Sequence, residues 1–219
     1  MSDAHLRRGR SGGRSAPGRR ARKTFREIVE NLASSRRELR GSVKLRAALD
    51  RFRVPVAGRV ALDVGAATGG FTGVLLERGA AKVYAVDAGH GQLLGSLRQD
   101  PRVVNLEATN IAQLSDEIIR DPVELFTVDV SYLPLRRAVS QLLRVPFADG
   151  TDLVGLVKPM FELQLAIAPS EPAVLQQALA KAVDGVTAVG WRVLETMDSP
   201  VTGAKGAPEL FIHATWETG

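Results

Sequence analysis

From Gly58 onward, short apolar runs alternate with amphipathic stretches. Strands are predicted over Arg59–Val64, Lys82–Asp87, Arg102–Leu106, Val123–Asp129, Thr151–Val157, Arg192–Asp198 and Glu209–Trp216. Between them, apolar residues at spacings of three and four predict helices over Gly70–Arg78, Gly91–Arg98, Ile111–Ile119, Leu135–Leu143 and Pro172–Val189. Short apolar strands alternating with amphipathic helices describe an α/β fold with a mostly parallel sheet covered on both faces. No helix is predicted between the last two strands, so the seven-stranded sheet should close on a C-terminal antiparallel hairpin.

The chain before Gly58 reads differently. Phe25, Ile28, Val29 and Leu32, then Val43, Leu45, Ala48, Leu49 and Phe52, fall at helical spacing and predict two helices broken near Arg40-Gly41-Ser42. Thr24 and Glu27 form a capping box for the first. Residues 1–23 are Arg, Gly, Ser and Pro with almost nothing apolar to offset the entropy of ordering, which predicts a disordered tail. The organisation expected is therefore a basic tail over 1–23, a helical extension over 24–53 and an α/β domain over 54–219.

Charge sharpens that division. The net charge of +5 is a net +11 over residues 1–53 set against a net −6 over 54–219. A basic arm on an acidic body implies a polyanionic partner, because cationic segments gain affinity by releasing counterions from nucleic acid. There is no cysteine, which excludes disulfides, thiolate catalysis and Cys-ligated zinc. The three histidines, His5, His90 and His213, lie far apart, so no metal site is expected. No apolar run approaches the roughly 20 residues that cross a bilayer, and no signal peptide is evident, which predicts a cytoplasmic protein with no membrane partner.

Candidate chemistry starts at Asp63-Val64-Gly65-Ala66-Ala67-Thr68-Gly69-Gly70-Phe71, which follows the first strand and opens a helix. Doubly wound folds bind ligands at such a turn. Its Gly-x-x-x-Gly-Gly spacing differs from the Gly-x-Gly-x-x-Gly of dinucleotide sites. At the end of the second strand, Asp87 offers a carboxylate able to accept both hydroxyls of an adenosine ribose. Turn, preceding Asp63 and second-strand acid together point to S-adenosylmethionine.

The resemblance then becomes specific. The glycine turn, Val83–Leu93, Leu97–Val103, Glu107-Ala108-Thr109-Asn110, Val128-Asp129-Val130-Ser131-Tyr132, Leu156-Val157-Lys158-Pro159-Met160-Phe161-Glu162, Gly190–Leu194 and the closing Ser199-Pro200…Gly203…Gly206…Glu209 segment are similar to the hemolysin/TlyA family of ribosomal RNA 2′-O-methyltransferases, which are FtsJ-like enzymes. The likeness covers about residues 40–216. It implies the class I S-adenosylmethionine methyltransferase (Rossmann-like) fold, RNA as partner, and a catalytic set of Lys44, Asp129, Lys158 and Glu209. It also implies a cofactor site drawn from Asp63, Gly65, Ala66, Thr68, Gly69, Gly70, Phe71, Asp87, Asn110 and Asp129. Asn110 equally suits an N-cap for a helix starting at Ile111. Six lysines against 23 arginines make a lysine at positions 44 and 158 informative, and Lys158 sits where an apolar strand ends before Pro159.

Three features depart from the family. Residues 1–40 are too short and too rich in Arg and Gly for the usual S4 RNA-binding module. Leu163–Ser170 replaces a Gly-rich segment. Arg-Gly-Ser-Val precedes Lys44 where the family has Ser-Arg-Gly-Gly-x. An RNA ribose 2′-O-methyltransferase acting on ribosomal RNA or subunits, a methyltransferase of small molecules, and a catalytically inactive RNA-binding protein therefore stand as alternatives.

Overall fold

A computed structural model describes residues 39–217. The basic tail and the first predicted helix lie outside the described residues. The second helix is present as α1 (Arg40–Phe52), with Gly41 and Ser42 inside its first turn.

Seven strands, β1 (Val60–Val64), β2 (Lys82–Val86), β3 (Val103–Leu106), β4 (Val123–Val128), β5 (Phe147–Val157), β6 (Trp191–Asp198) and β7 (Leu210–Trp216), form one sheet in the order 3-2-1-4-5-7-6. Strands β1 to β5 pair in parallel, and β7 runs antiparallel between β5 and β6. The hairpin expected from the sequence exists, but β7 turns back into the sheet and leaves β6 at the edge.

Alternation along the strands sends side chains into two cores. Leu62, Val64, Phe126, Val128 and Ile212 face α4 (Leu135–Leu142) and α6 (Pro172–Ala188). Ala61, Val83, Leu125, Val154 and Phe211 face α1 and α2 (Gly70–Glu77). Helix α1 thus packs into the main core through Leu45, Ala48, Leu49 and Phe52. Its approach depends on two glycines, since a Cβ on Gly70 would lie 3.1 Å from the Gly41 Cα. Ser42 Oγ donates to the Gly70 carbonyl across this contact at 3.0 Å.

Two predicted helices come out shorter or different. Residues 91–98 form only α3 (Gly95–Arg98): Gly91 is left-handed at φ +71° and Leu94 is extended at ψ 136°, while the amides of Gln92 and Leu93 donate to the Glu107 carboxylate at 2.5 and 3.0 Å. The predicted Ile111–Ile119 helix is a 3₁₀ turn over Ile111–Gln113 followed by a second turn on the Ser115 carbonyl. Successive turns bury Ile111, Leu114 and Ile119 without one continuous helix. Conversely, a short helix, α5 (Pro159–Glu162), follows β5 where none was expected. Among the described residues no helix is long and apolar enough to cross a membrane.

Candidate active site

The parallel strands deliver their carboxyl ends to one edge: Gly65 after β1, Asp87 after β2, Asp129 after β4 and Lys158 after β5. Because β7 is antiparallel, its start lies at that same edge, and Glu209 arrives there immediately before it. Two neighbouring cavities open along this edge.

The first, about 330 Å³, is lined by Gly65, Ala67, Asp87, Gly89, Asp129, Ser131 and Tyr132 among others. It sits where the strand order reverses between β1 and its neighbours β2 and β4, the usual ligand position in doubly wound sheets. Gly65 has φ +88°, and a Cβ there would lie 2.2 Å from the Asp129 carbonyl oxygen, so only glycine lets β1 and β4 approach this closely. Asp87 accepts from the Ala67 amide at 2.8 Å and the Gly89 amide at 2.7 Å, one on each oxygen. Those bonds fix the carboxylate and leave lone pairs for two ribose hydroxyls. A bare glycine-loop backbone, a fixed carboxylate and the Tyr132 ring on one wall fit an adenosine-bearing cofactor.

The remaining residues assigned to cofactor binding are placed differently. Ala66, Thr68, Gly69, Gly70 and Phe71 build the turn and do not line the cavity. Gly69 caps α2 at φ +93° against Leu93 and Leu97. Phe71 is buried, stacked on Phe211 at 6.3 Å. Asn110 is occupied as an N-cap, its Oδ1 accepting from Ala112 at 2.9 Å while its own amide donates to Gln113. Asp63 is fully buried behind the loop and accepts from Thr72 at 2.7 Å and Thr127 at 2.9 Å. It ties α2 and β4 to β1.

Burial, opposed by those two hydroxyls and aided by the nearby Asp129 charge, pushes the Asp63 pKa up to about 6. An acid with a raised folded pKa takes up a proton on folding. Stability should therefore fall as pH rises from about 4 to about 6, by about 3 kcal/mol from this group, and then level off. Asp63→Asn should flatten that slope, whatever it does to the overall level. Thermal unfolding of both proteins from pH 4 to 8 checks this, and parallel curves would exclude it.

The second cavity, about 530 Å³, is lined by Ser131, Lys158, Met160, Phe161, Ile167, Lys205 and Glu209 among others. Two lysine–carboxylate pairs stand beside it. Lys158 Nζ lies 2.5 Å from Asp129 Oδ1 and donates to Ser131 Oγ at 2.6 Å. Lys44 Nζ donates to Glu209 Oε2 at 2.5 Å, and this pair is nearly sealed from solvent. Asp129 and Ser131 line the first cavity, Ser131, Lys158 and Glu209 the second, so the pairs mark the boundary between the two.

Three contributors went unassigned in the sequence. Ser131 and Tyr132 sit within the Asp129 motif, where adjacency was the available signal. Glu162 is fully buried, and its carboxylate accepts from the Leu135 amide. That bond pins the turn after Lys158 to the start of α4, and burial raises the Glu162 pKa.

The architecture is that of class I S-adenosylmethionine-dependent methyltransferases. Residues 38–216 match the FtsJ-like methyltransferase family, and the chain belongs to it. It is 41% identical to the 16S/23S rRNA (cytidine-2′-O)-methyltransferase TlyA of Mycobacterium tuberculosis, over 82% of this chain and 68% of that protein. It is 33% identical to Hemolysin A of Brachyspira hyodysenteriae, over 85% and 79% of the two chains. Among solved structures, a hemolysin candidate from Streptococcus thermophilus superposes with a TM-score of 0.78 at 32% identity, covering 82% of this chain and 67% of that one. S-adenosylmethionine is the cofactor of this family.

Proposed function

We propose that the protein methylates ribose 2′-hydroxyls of RNA, ribosomal RNA foremost, with Lys44, Asp129, Lys158 and Glu209 as the catalytic set. The observation that carries this reading is the pair of lysine–carboxylate contacts on the boundary between two cavities. One cavity fits the cofactor, and the other is open to an acceptor. Gly65, Ala67, Asp87 and Asp129 would hold S-adenosylmethionine, which supplies a methyl carbon made electrophilic by its sulfonium.

A ribose 2′-hydroxyl is a weak nucleophile and must lose its proton as it attacks. Lys158 would meet that oxygen, as the ammonium stabilising developing negative charge or as the neutral amine accepting the proton. Asp129 and Ser131 fix the Lys158 ammonium, so little reorganisation is needed when the oxygen becomes charged. The Lys44–Glu209 pair sets a second cation and its counter-charge behind the first. Pairing keeps both lysines from being uncompensated charges in a desolvated site. The basic residues 1–53 supply phosphate contacts that hold the polymer.

Incubating the full chain with methyl-labelled S-adenosylmethionine and separate fractions of ribosomal subunits, total RNA and small metabolites tests the assignment. Label is expected in ribosomal RNA. Label confined to small metabolites would overturn it. Deleting residues 1–23 should weaken RNA binding and flatten its salt dependence, while leaving the affinity for S-adenosylmethionine unchanged. An unaltered salt slope would make the tail passive.

A further inference from the structure

The second cavity carries a lysine that the proposed chemistry does not use. Lys205 sits on the tight turn Ala204–Gly206, which projects from the segment between β6 and β7. It lines the acceptor cavity together with Lys158 and Glu209.

Its position is fixed by the backbone. Gly203 donates to the Ala207 carbonyl at 2.7 Å, and Ala207 donates to that of Ala204 at 3.2 Å, closing the turn. The turn is pressed onto the active site at Gly203, where a Cβ would lie 2.2 Å from Glu209 Oε1. Lys205 therefore stands at a set place relative to the Lys44–Glu209 pair.

Its conformation is costly. Lys205 has φ 54° and ψ 26°, in the left-handed region, where a side chain costs about 1 kcal/mol relative to glycine. A strained residue kept where glycine would be easier implies that its side chain serves the site.

Its charge is unspent. Lys44 is paired with Glu209 and Lys158 with Asp129. Among the described residues Lys205 has no hydrogen bond or ion pair, and it is exposed. It adds an uncompensated positive charge at the mouth of the acceptor cavity, on a body whose residues 54–219 carry a net −6. Its surroundings are apolar, with Met160, Phe161, Ile167 and Pro208 on the same walls. Such walls suit a nucleobase, and the one carboxylate among them, Glu209, is already paired with Lys44. The anion must come with the acceptor.

We infer that Lys205 binds a backbone phosphate of the acceptor RNA beside the methylated nucleotide, making it a positioning residue that favours a phosphodiester-linked acceptor over a free nucleoside or other uncharged small molecule. The inference rests on the RNA reading of this cavity. The lysine adds affinity and register, and leaves proton transfer to Lys158.

The test is Lys205→Gly in the full chain, with Lys205→Arg beside it. Binding of a fluorescein-labelled single-stranded RNA oligonucleotide is measured by anisotropy over a range of salt, and thermal unfolding is measured in parallel. Lys205→Gly should weaken RNA binding about five- to tenfold and make the log–log salt slope shallower by about one, the signature of one lost phosphate contact. Its melting temperature should hold or rise, since the left-handed strain is relieved. Arginine should restore RNA binding, because a phosphate accepts either cation. In methylation assays with ribosomal RNA, KM should rise with kcat unchanged. RNA affinity and salt slope both unchanged in Lys205→Gly would overturn the inference, as would a fall in kcat at constant KM. Because the binding arm needs no turnover, wild-type protein that labels no RNA would defeat the RNA reading separately.

Discussion

Lys158→Ala should lower methyl transfer at least about a hundredfold while leaving the fold and the affinity for S-adenosylmethionine nearly intact, the usual scale for removing a positioned proton-transfer group. The expectation follows from where Lys158 stands. It lines the second cavity, where the proposal places the acceptor, and not the first, with its ammonium between Asp129 and Ser131. Lys158→Arg should rescue little. Arginine keeps the charge but cannot act as a base, and its planar fork does not suit a single oxygen. The contrast with Lys205, where arginine is expected to suffice, separates chemistry from phosphate binding at two lysines of one cavity. Asp129→Ala should be nearly as damaging, and the double variant little worse than either single one, because groups that act as a unit are not additive. Single-turnover kinetics and calorimetry with the cofactor read both halves of the prediction. Transfer near the wild-type rate in Lys158→Ala would point to an acceptor, such as a ring nitrogen, that needs no lysine.

The second large effect is expected at Gly65. Gly65→Ala places a methyl group 2.2 Å from the Asp129 carbonyl oxygen at a φ of +88°. No flexible side chain can move aside, since the obstacle is backbone at the end of β4. Relief requires β1 and β4 to separate where both border the cofactor cavity. The cost should be about 3 kcal/mol of stability, combining left-handed strain with overpacking. Affinity for S-adenosylmethionine should fall at least about tenfold, because the Gly65 backbone and Asp129 shift together. Calorimetry and thermal unfolding measure the two effects. Gly73→Ala is the control: it lies in the adjoining α2, where a Cβ meets nothing within 4 Å, and it should be close to neutral. Unchanged cofactor affinity in Gly65→Ala would show that the cofactor does not rest on this loop.

Much of this site was legible in the sequence because strand ends announce themselves. Val64, Val86, Val128 and Val157 close apolar runs, and the residues that follow stand at the sheet's functional edge. Glu209 was harder to place, since its arrival there depends on β7 inserting antiparallel between β5 and β6, a long-range pairing with no local signal. The helix Pro159–Glu162 was hidden because proline reads as a breaker, although at the first helical position it costs nothing. Strand β5 starts at Phe147, ahead of the expected Thr151. Asp149-Gly150 reads as a turn but is accommodated in an irregular stretch of the ladder beside β4. Periodicity failed over residues 91–94, where Gly91 is left-handed and Leu94 extended before the helix starts at Gly95. Among candidate site residues, motif membership did not separate groups that line a cavity, such as Asp87, from those that support it, such as Asp63 and Phe71. That distinction depends on burial and partners.

The atom that receives the methyl group is read directly by alkaline hydrolysis of labelled ribosomal RNA. A methyl on the 2′-oxygen blocks attack on the neighbouring phosphodiester, so the label should remain in alkali-resistant dinucleotides. It should be absent from RNA treated with Lys158→Ala. Label released in mononucleotides, or dinucleotide label undiminished by Lys158→Ala, would contradict the account.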